Sequence, residues 1–452
     1  MRPVTPSIHR SSFPSSPIPV WLVLLMMLAK ADGTHARDMA WTPLFNGRDL
    51  EGWVNVNCAP DTFRATNGVI FCTGFPTGEL RTRRMYQNFA LELEWRHLRP
   101  QGNAGVFVWA DALTAPGQPF IRAVEVQVLD GREGPGHTSD GDIFPIHGAR
   151  MIPENGRGGD RAFPTEKRMK PSPEWNHYRI ECTNGAIALA VNGKVVTRGR
   201  EASPRKGYIC LESEGSPIEF RNLRIQEWPV EKALAPDHIA RPDEHFVSLY
   251  NGLDLTGWLT RADTARHWRA QDWVLDHDGK KGEGDPHLWT EEEFGDFVLV
   301  ADWRWTAKPV AKPLPVIRSD GTRGLNPDGS EELREVLDAG DSGIYLRGDL
   351  NSEVNIWCWP VGSGELFKYR EDVKRSAEAR AAATPKRRAD KPPGQWNRFV
   401  VTLRGNRVSV ELNGERVIDQ AELDGIPHRG RIGLQHHGSP IQFANLFIKR
   451  LD

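Results

Sequence analysis

One short segment of the chain, AVEVQVLD at residues 123–130, alternates apolar with polar side chains. Because successive side chains of a β-strand point to opposite faces, the three valines would face a core, and Glu125 and Gln127 would share the other face. A carboxylate accepts hydrogen bonds from paired hydroxyls, and an amide both donates and accepts them. The segment therefore predicts a polar sheet face that could bind a sugar; the alternative is an ordinary strand with a solvated outer face.

A Gly-rich loop follows this strand, and at residues 133–149 it carries two histidines, His137 and His147, together with Asp142. A loop at the end of a strand can fold over the polar face and supply an acid, a base, a substrate contact or a metal ligand. A divalent metal bound through Asp142, His147 or Glu125 is conceivable, but no ligand spacing requires one. The alternative is that the histidines are surface residues and that the Asp side chains stabilise turns.

A second strand of the same type occurs later, as SEVNIWCWP at residues 352–360. Its Glu353 and Asn355 stand at the places that the glutamate and the glutamine have in the first strand, and Trp357 extends the same face. The later strand thus keeps one carboxylate and one amide and adds an aromatic surface.

The strands next to these two segments add further candidates for sugar binding. NAGVFVWA at residues 103–110 returns as DSGIYLRG at residues 341–348, so that Trp109 corresponds to Arg347. We expect Trp109, Tyr345 and Arg347 to lie on the polar faces. Arg347 could pair with the glutamate of its own sheet and hold it ionised, or it could belong to a structural ion pair.

The chain repeats itself over nearly its whole length. LFNGRDLEGW at residues 44–53 returns as LYNGLDLTGW at residues 249–258, and GSPIEFRNLRI at residues 215–225 returns as GSPIQFANLFI at residues 438–448. The repeats keep their order while their spacing drifts, which indicates two homologous domains with different loop insertions. The predicted organisation is a signal peptide at residues 1–31, a first domain at 41–228, a Pro-rich linker at 229–245 and a second domain at 246–452.

Within each copy the segments are typical of β-strands joined by tight turns. Asn184-Gly185 and Gly405-Asn406 interrupt alternating runs at equivalent places and predict hairpins. Short alternating strands at such spacings predict an antiparallel sandwich or jelly roll. Two insertions of the second domain are exceptions: residues 371–384, rich in Ala and charge, predict a surface helix, and residues 308–339 predict a long loop.

The composition excludes some classes of function. The 452 residues carry a formal net charge of −2, so no global basic field favours nucleic acid. The 16 tryptophans suit stacking on sugar rings, although most of them would fill sandwich cores. No His and Cys spacing predicts a structural zinc site.

The N-terminal segment is typical of a targeting signal. An apolar run at residues 18–29 follows basic residues and ends at Ala29-Lys30-Ala31, a small-x-small cleavage pattern. The run is short for a membrane span, so we predict export to the periplasm or the outside of the cell, with an uncleaved anchor as the alternative. In an exported chain the 5 cysteines could form disulfides, but their odd number leaves at least one unpaired.

Three ordered motifs carry a family resemblance: LFNGxDLxGW, an N/D-x-G-[VI]-[FY] strand and GSPIxFxNLxI. They resemble the 3-keto-disaccharide hydrolase domain family over nearly all of the mature chain, twice over. The resemblance implies an all-β fold of two tandem concanavalin A-like jelly-roll β-sandwiches joined by the linker, each with a concave face for carbohydrate. It also implies glycoside-cleaving chemistry, although a fold alone does not dictate function.

The chemistry that the resemblance implies needs a single base. A ketone at C3 of a sugar acidifies the proton at C2, so a base can remove that proton and expel the C1 substituent by elimination, with water added afterwards. Glu125 is the first candidate for the base, with Gln127 and His147 as orienting or polarising groups. Glu353 with Arg347 is the second candidate.

The spacing of Glu125, Gln127 and Asp130 also resembles the catalytic strand of the jelly-roll β-glucanases, where a Glu, an Asp and a second Glu act as nucleophile, helper and acid. The chain departs from that pattern at the second and third places. In a regular strand Asp130 would point away from Glu125 unless a bulge turned it towards the substrate. The residues therefore support a two-carboxylate retaining glycosidase less than the single-base route.

Three functions remain open from the sequence. The first is an exported enzyme that cleaves 3-keto-glycosides or related sugars. The second is a non-catalytic, lectin-like protein, and the third combines one catalytic copy with one binding copy. The unequal polar faces favour the third over two identical enzymes. In each case the predicted partner is a carbohydrate, with no nucleic acid and no stable membrane span after signal cleavage.

Overall fold

The computed structural model describes residues 39–230, 232–243, 245–282 and 286–451, and the predicted signal peptide lies outside them. Alternating apolar runs between turns containing Gly and Asn make these residues almost entirely antiparallel β-structure. The strands of the first half are β1 (Thr42–Pro43), β2 (Trp53–Val56), β3 (Phe63–Thr66), β4 (Val69–Cys72), β5 (Gly78–Thr82), β6 (Phe89–His97), β7 (Asn103–Ala110), β8 (Ala123–Leu129), β9 (Ile143–Ile146), β10 (Arg150–Pro153), β11 (Asn176–Thr183), β12 (Ala186–Val191), β13 (Lys194–Ser203), β14 (Tyr208–Ser213) and β15 (Ile218–Glu227).

Two sheets pack face to face in the first half. One runs in the order β10-β13-β12-β11-β6-β15-β4-β3, with β1 paired to β15, and the other runs β2-β5-β14-β7-β8-β9. Side chains that alternate inward from both sheets, among them Trp95, Val126 and Tyr178, form one buried core. The valines of the 123–130 segment face this core, as predicted.

The second half repeats this architecture and adds to it. Its elements are β16 (Val247–Ser248), α1 (Ala262–His267), β17 (Trp268–Gln271), β18 (Val274–Asp278), β19 (Leu288–Phe294), β20 (Phe297–Trp305), β21 (Val310–Pro315), β22 (Leu333–Asp338), β23 (Asp341–Leu346), β24 (Asp349–Trp357), α2 (Phe367–Glu371), α3 (Ala377–Ala382), β25 (Asn397–Arg404), β26 (Arg407–Leu412), β27 (Glu415–Glu422), β28 (Gly430–Leu434) and β29 (Pro440–Arg450). One sheet runs β17-β18-β29-β20-β25-β26-β27, with β16 on β29, and the facing sheet runs β19-β28-β23-β24. The predicted fold of two tandem jelly-roll sandwiches is confirmed, whereas the exact limits of domains and linker stay predictions.

The repeated ten-residue motif builds the same turn in both sandwiches. The Asn46 side-chain oxygen accepts hydrogen bonds from two backbone N–H groups that follow it, and Asn251 does the same in the second copy. Phe45 and Trp53 are buried, and the Trp53 indole N–H donates to the carbonyl of Leu44 at 2.7 Å. The motif is therefore a scaffold element, and its repetition carries no information about activity.

The predicted hairpin turns are confirmed. Strands β11 and β12 pair as far as Thr183 and Ala186, so that Asn184 and Gly185 alone make the turn. Both turn residues have positive φ, 51° and 86°, which is the backbone of a type I′ turn. The Gly405-Asn406 turn also joins β25 to β26 through two residues, of which Gly405 has positive φ, 55°, and Asn406 does not.

Two predictions for insertions of the second sandwich need correction. Residues 308–339 contain the hairpin of β21 and β22 rather than only a loop, because the prolines of β21 lie on a two-stranded ribbon with no further neighbour that would need their N–H groups. Residues 371–384 do not form one helix: α2 ends at Glu371, and α3 begins after Ser376, whose hydroxyl accepts from the N–H of Ala379.

A loop of the first sandwich, residues 111–122, is held on the outer sheet of the second. Asp302 on β20 is fully buried and accepts hydrogen bonds from Gly117 N at 2.7 Å, Arg398 Nε at 2.6 Å and Asn445 Nδ2 at 2.6 Å. Arg398 and Asn445 also donate to backbone carbonyls of the loop. We call Asp302, Arg398 and Asn445 the clasp. It joins the two sandwiches through buried polar contacts.

All five cysteines are buried and none belongs to a disulfide. Among the described residues, no helix has both the length and the apolar character needed to cross a membrane.

Candidate functional site

The six-stranded sheet of the first sandwich carries a ladder of polar side chains on the face away from the core. Strand register places Glu79, Glu212, Gly105 and Gln127 in one row across β5, β14, β7 and β8. The adjacent row contains Glu125 of β8, which the sequence also placed on this face, opposite Phe107 of β7. We call this surface the first face; its members are Glu79, Arg81, Gly105, Phe107, Glu125, Gln127, Cys210 and Glu212.

Glu125 and Glu212 approach each other across Gly105. A Cβ atom at Gly105 would lie 3.0 Å from Glu125 Oε1 and 2.8 Å from Glu212 Oε2, so only glycine leaves room for both carboxyl groups. The two oxygens are therefore within about 6 Å of each other, close enough for each charge to raise the other's pKa. Burial and the nearby Glu214 raise the pKa of Glu125 to about 8, and burial and Glu125 raise the pKa of Glu212 well above its usual range. This pair is suited to retaining a proton at neutral pH.

Other parts of the molecule cover the first face. The Glu79 carboxylate accepts a hydrogen bond at 3.0 Å from the backbone N–H of Ile121, in the loop held by the clasp. Phe107 belongs to a buried apolar cluster that also contains Val300 and Phe447 of the second sandwich. The carboxyl-bearing residues of the first face are at most 7% exposed. The second sandwich and the loop held by the clasp thus lie over part of the first face.

One edge of the first face carries an arginine that the sequence did not single out. Arg161 donates to Asp142 at 2.9 Å and to Gln127 Oε1 at 3.3 Å, and its guanidinium lies over the ring of Phe144. The charge of Arg161 opposes the rise in the pKa of Glu125. Asp142 is fully buried and forms an ion pair with Arg161. It therefore does not make the substrate contact considered from the sequence.

The four-stranded sheet of the second sandwich carries two rows of side chains that correspond to the rows of the first face. Trp289 on β19, Gly433 on β28 and Tyr345 on β23 are cross-strand neighbours, and the register of β23 with β24 places Glu353 next to Tyr345. Gln435, Gly343 and Asn355 form the adjacent row. We call this surface the second face; its members are His287, Trp289, Gly343, Tyr345, Glu353, Asn355, Gly433 and Gln435.

Glu353 lies beside a glycine of the neighbouring strand, as Glu125 does, but the residue on the far side of that glycine is different. Its carboxyl group lies against Gly343, where any Cβ atom would collide with it. On the far side of that glycine stands Gln435, an amide at the position of Glu212. The second face therefore places one carboxyl group beside a hydrogen-bond donor, where the first face places two carboxyl groups together.

The surroundings of Glu353 favour its protonated form at neutral pH. Burial raises the pKa of Glu353 to about 8, and the charge of Asp341 adds to the rise. The charge of Lys368 and a hydrogen bond from Gln435 oppose it. Once ionised, Glu353 is a stronger base than an exposed carboxylate.

Asp341 is a second carboxylate of this region that sequence reasoning did not select. It lies on β23 two residues before Gly343, so the alternation of side chains directs it to the second face. Burial raises the pKa of Asp341 to about 6, against the influence of His437, whose Nδ1 lies 4.0 Å from the carboxylate.

Trp289 and Tyr345 form an aromatic platform on the second face. Their ring centroids are 5.6 Å apart with an interplanar angle of 21°. Trp289 lies flat across Gly433, where a Cβ atom would come within 2.5 Å of the indole. The Tyr345 hydroxyl accepts a hydrogen bond from Gln435 Nε2 at 2.7 Å. A cavity of about 630 Å³ opens at the half-buried Trp289, with arginines and the exposed Leu350 around it.

Two residues predicted on the polar faces point elsewhere. Trp109 and Arg347 occupy equivalent positions of the repeat, and both have positive φ, 54° and 50°, so the alternation of a regular strand does not direct either side chain. Trp109 is in the core and donates to the carbonyl of Gln87 at 2.9 Å. Arg347 donates to Asp296 at 2.6 Å and to three backbone carbonyls. The predicted pair of Arg347 with Glu353 is therefore wrong, and the structural ion pair is the correct alternative.

Three other candidates take part in local packing. Asp130 accepts hydrogen bonds from two backbone N–H groups, the nearer at 3.2 Å, so no bulge turns it towards the glutamate of β8. His147 stacks on Phe120 in the loop held by the clasp, and burial lowers the pKa of His147. Trp357 stacks on Trp359 with centroids 4.2 Å apart, in a small apolar cluster.

No metal centre is formed by the residues that the structure describes: they contain no group of three or more His, Cys, Asp or Glu side chains arranged to hold an ion. Asp142, one of the ligands considered from the sequence, is engaged by Arg161. The geometry gives no support to the divalent metal.

The repeats contained a signal for two of the missed residues. Residues 208–217, YICLESEGSP, align with residues 431–440, RIGLQHHGSP, directly before the shared GSPI motif. Glu212 and Gln435 occupy the same column of that alignment. Trp289 and Arg161 lie outside the repeated motifs, and no pattern in the sequence marks them.

The fold and the two faces define a class, tandem jelly-roll sandwiches with a buried glutamate on a polar sheet face. The chain belongs to the 3-keto-alpha-glucoside-1,2-lyase-like domain family, whose model matches residues 40–226 and 245–449. This match confirms the resemblance in two tandem copies and relates the function of the protein to carbohydrates. Among curated proteins, none matches this chain.

Several solved structures are similar to part of the chain. A protein from Parabacteroides distasonis described as a candidate glycosyl hydrolase is 24% identical, with a TM-score of 0.32, covering 42% of this chain and 100% of its own. The β-glucanase of Bacillus licheniformis is 13% identical, with a TM-score of 0.29 and coverage of 42% and 98%. The carbohydrate-binding module CBM66 of Bacillus subtilis is 11% identical, with a TM-score of 0.26 and coverage of 39% and 96%.

Proposed function

We propose that the protein is an exported glycoside-cleaving enzyme that acts on 3-keto-glycosides or related sugars, and that the second face performs the reaction. The observation that carries the proposal is the row Trp289, Gly433, Tyr345 and Glu353, in which an aromatic platform beside an open cavity leads to a buried carboxyl group. Flat aromatic rings suit the weakly polar faces of sugar rings. The family of the chain supports a substrate of the 3-keto-glycoside class.

In this proposal Glu353 is the base. Its carboxylate removes the proton from C2 of a sugar that carries a ketone at C3, and the electron pair of the C2–H bond is delocalised onto the ketone oxygen as an enolate. The enolate then reforms the ketone as a C1=C2 double bond forms and the bond from C1 to the glycosidic oxygen breaks. Addition of water across the double bond completes the cleavage.

The neighbours of Glu353 fit the other roles of this route. An enolate requires hydrogen-bond donors at the ketone oxygen. The proposed donors are the amide of Gln435 and the hydroxyl of Tyr345. Gln435 Nε2 donates to this hydroxyl at 2.7 Å and so orients it. Asp341, with a pKa raised to about 6, is the proposed acid that protonates the departing oxygen. No second carboxylate at the spacing of a retaining glycosidase is required.

The first sandwich has a structural role in this proposal. Its Glu125 matches Glu353, but the second sandwich and the loop held by the clasp cover its face. This difference supports one catalytic copy rather than two. Export is part of the same proposal and rests on the apolar run at residues 18–29.

The test is the turnover of a chromogenic 3-keto-glucoside by the purified mature protein, with Glu353→Gln and Glu125→Gln as a matched pair and with chelator present or absent. We expect Glu353→Gln to lose about 100-fold or more in turnover, the scale of a general base, and Glu125→Gln to retain activity. Sugar binding, followed by tryptophan fluorescence, should survive in both variants.

Other outcomes would contradict parts of the proposal. Loss of activity only in Glu125→Gln would transfer the chemistry to the first face. A wild type that binds sugars but releases nothing would show a lectin-like protein, and inhibition by chelator would show a metal requirement.

A further inference from the structure

The cavity on the second face is lined by more positively than negatively charged side chains. Its lining includes four arginines, Arg261, Arg347, Arg429 and Arg431, but a single carboxylate, Glu293. The hydroxyls of a neutral sugar can be bound by neutral donors and acceptors, whereas a guanidinium group makes its strongest hydrogen bonds to anionic oxygens. The binding of a neutral sugar therefore does not explain the guanidinium groups of this cavity.

The positive charges of two of these arginines are partly balanced by carboxylates in ion pairs. Arg347 is buried and its charge is met by Asp296 at 2.6 Å, so it belongs to the scaffold. Arg431 bonds Glu293 at 3.1 Å, and 39% of its side chain remains exposed. This second pair lies in the same sheet, where Glu293 and Arg431 are direct cross-strand partners.

Arg429 is different from these two. It is exposed at the rim of the cavity, immediately before β28, and makes no ion pair with any residue that the structure describes. It stands two residues before Arg431 in the chain, and both residues line the cavity. The planar fork of a guanidinium group matches the oxygens of a carboxylate or a sulfate.

The same cavity has an apolar floor. The half-buried Trp289 lies flat over Gly433, and Leu350 is 52% exposed at the side. An aromatic plane with charged groups at its rim suits a sugar ring that stacks on Trp289 and directs one anionic substituent outward.

We propose that this cavity binds an anionic saccharide unit, carrying a carboxylate or a sulfate ester, and that Arg429 and Arg431 select for it. The inference deepens the proposed function, since it assigns the class of sugar that lies next to the bond cleaved at Glu353. The position of the cleaved bond rests on the proposed function, and the anionic substituent rests on the charges that line the cavity.

The test uses the full chain and three disaccharides of the same linkage: a neutral one, one with a uronic acid and one with a sulfate ester. Affinities are measured by quenching of tryptophan fluorescence for the wild type, Arg429→Gln and Arg431→Gln. Arg387→Gln is the matched control, because Arg387 forms an exposed pair with Glu415 at 2.7 Å outside the cavity. Unfolding curves establish that each variant is folded.

We expect at least one anionic disaccharide to bind about 10-fold more tightly than the neutral one, with an advantage that falls as salt is added. Arg429→Gln should remove most of that advantage, and Arg387→Gln none of it. The better of the two anionic ligands identifies the substituent.

Equal affinity for all three disaccharides would overturn the inference, and so would equal effects of Arg429→Gln and Arg387→Gln. These results are separate from turnover. If the chromogenic 3-keto-glucoside is cleaved but no anionic preference is found, the inference fails and the proposed function stands. If an anionic preference is found without turnover, the site stands and the proposed function fails.

Discussion

Glu212 and Gln435 occupy equivalent positions in the two sandwiches, each across a glycine from the glutamate of the neighbouring strands. In the first sandwich the pair consists of two carboxyl groups, and in the second it consists of a carboxyl group and an amide. This single difference changes the protonation chemistry of otherwise similar faces. It separates a buried acid pair from a glutamate that can be ionised next to a hydrogen-bond donor.

The acid pair predicts that the stability of the protein falls as the pH rises. The pKa of Glu125 is raised from 4.5 to about 8 and that of Glu212 is also raised well above its usual range, so the folded state retains protons that the unfolded chain has released. Stability from these groups is therefore complete at low pH and is lost between pH 4.5 and about 8. Glu212→Gln should stabilise the protein at pH 8 relative to pH 5, by about 1–3 kcal/mol.

Urea unfolding of Glu212→Gln and wild type at both pH values measures this effect. Glu415→Gln, at an exposed residue, is the control and should show no such pH dependence. A constant difference between Glu212→Gln and wild type at pH 5 and pH 8 would show that the pair does not hold a proton.

The base at Glu353 predicts the pH dependence of turnover. Only the ionised carboxyl group can accept a proton, and its pKa is raised to about 8, so kcat/KM for a nitrophenyl 3-keto-glucoside, whose leaving group needs no acid, should increase with pH and level off above that value. Asp341→Asn removes the charge that contributes to the raised pKa of Glu353, so the midpoint should move to lower pH. A nitrophenolate leaving group departs without protonation and keeps the variant active enough to measure. A midpoint that is the same in both proteins would refute the coupling.

The clasp predicts a large cost when its carboxylate is removed. Asp302 meets the charge of Arg398 through two hydrogen bonds of 2.6 Å and 2.9 Å in a buried setting. Asp302→Ala leaves the guanidinium of Arg398, whose side chain is 13% exposed, without its partner and should lower the free energy of unfolding by about 3–5 kcal/mol. The exposed pair of Arg387 and Glu415 provides the comparison, and Glu415→Ala should cost less than about 1 kcal/mol. Similar losses in thermal or urea unfolding of the two variants would mean that the clasp is not a principal contact.

The cysteines predict a simple chemical result. All five thiols are buried, and burial raises the pKa of each of them, so the reactive thiolate is scarce in the folded protein. A chromogenic thiol reagent at pH 8 should react with none of them in the native state and with all five after unfolding. Fewer than five after unfolding would reveal a disulfide in the mature protein.

Much of the fold followed from local pattern. The alternation in residues 123–130 correctly placed the valines in the core and Glu125 on the polar face, because the period of a strand is a property of the backbone. The paired turn residues likewise fixed the hairpins. The same rule failed at Trp109, which has positive φ at a bulge of β7, and at Arg347, which has positive φ in the two-residue turn between β23 and β24.

The sequence by itself determined that this protein consists of two related sandwiches and that each carries a glutamate on a polar strand face, since both statements depend on repeats and periodicity. Only the tertiary structure decided what stands beside each glutamate. Cross-strand neighbours such as Glu212 and Gln435 come from distant segments, and no local rule pairs them with β8 or β24. The packing of the second sandwich against Phe107 of the first face and the cavity at Trp289 likewise depend on the tertiary structure.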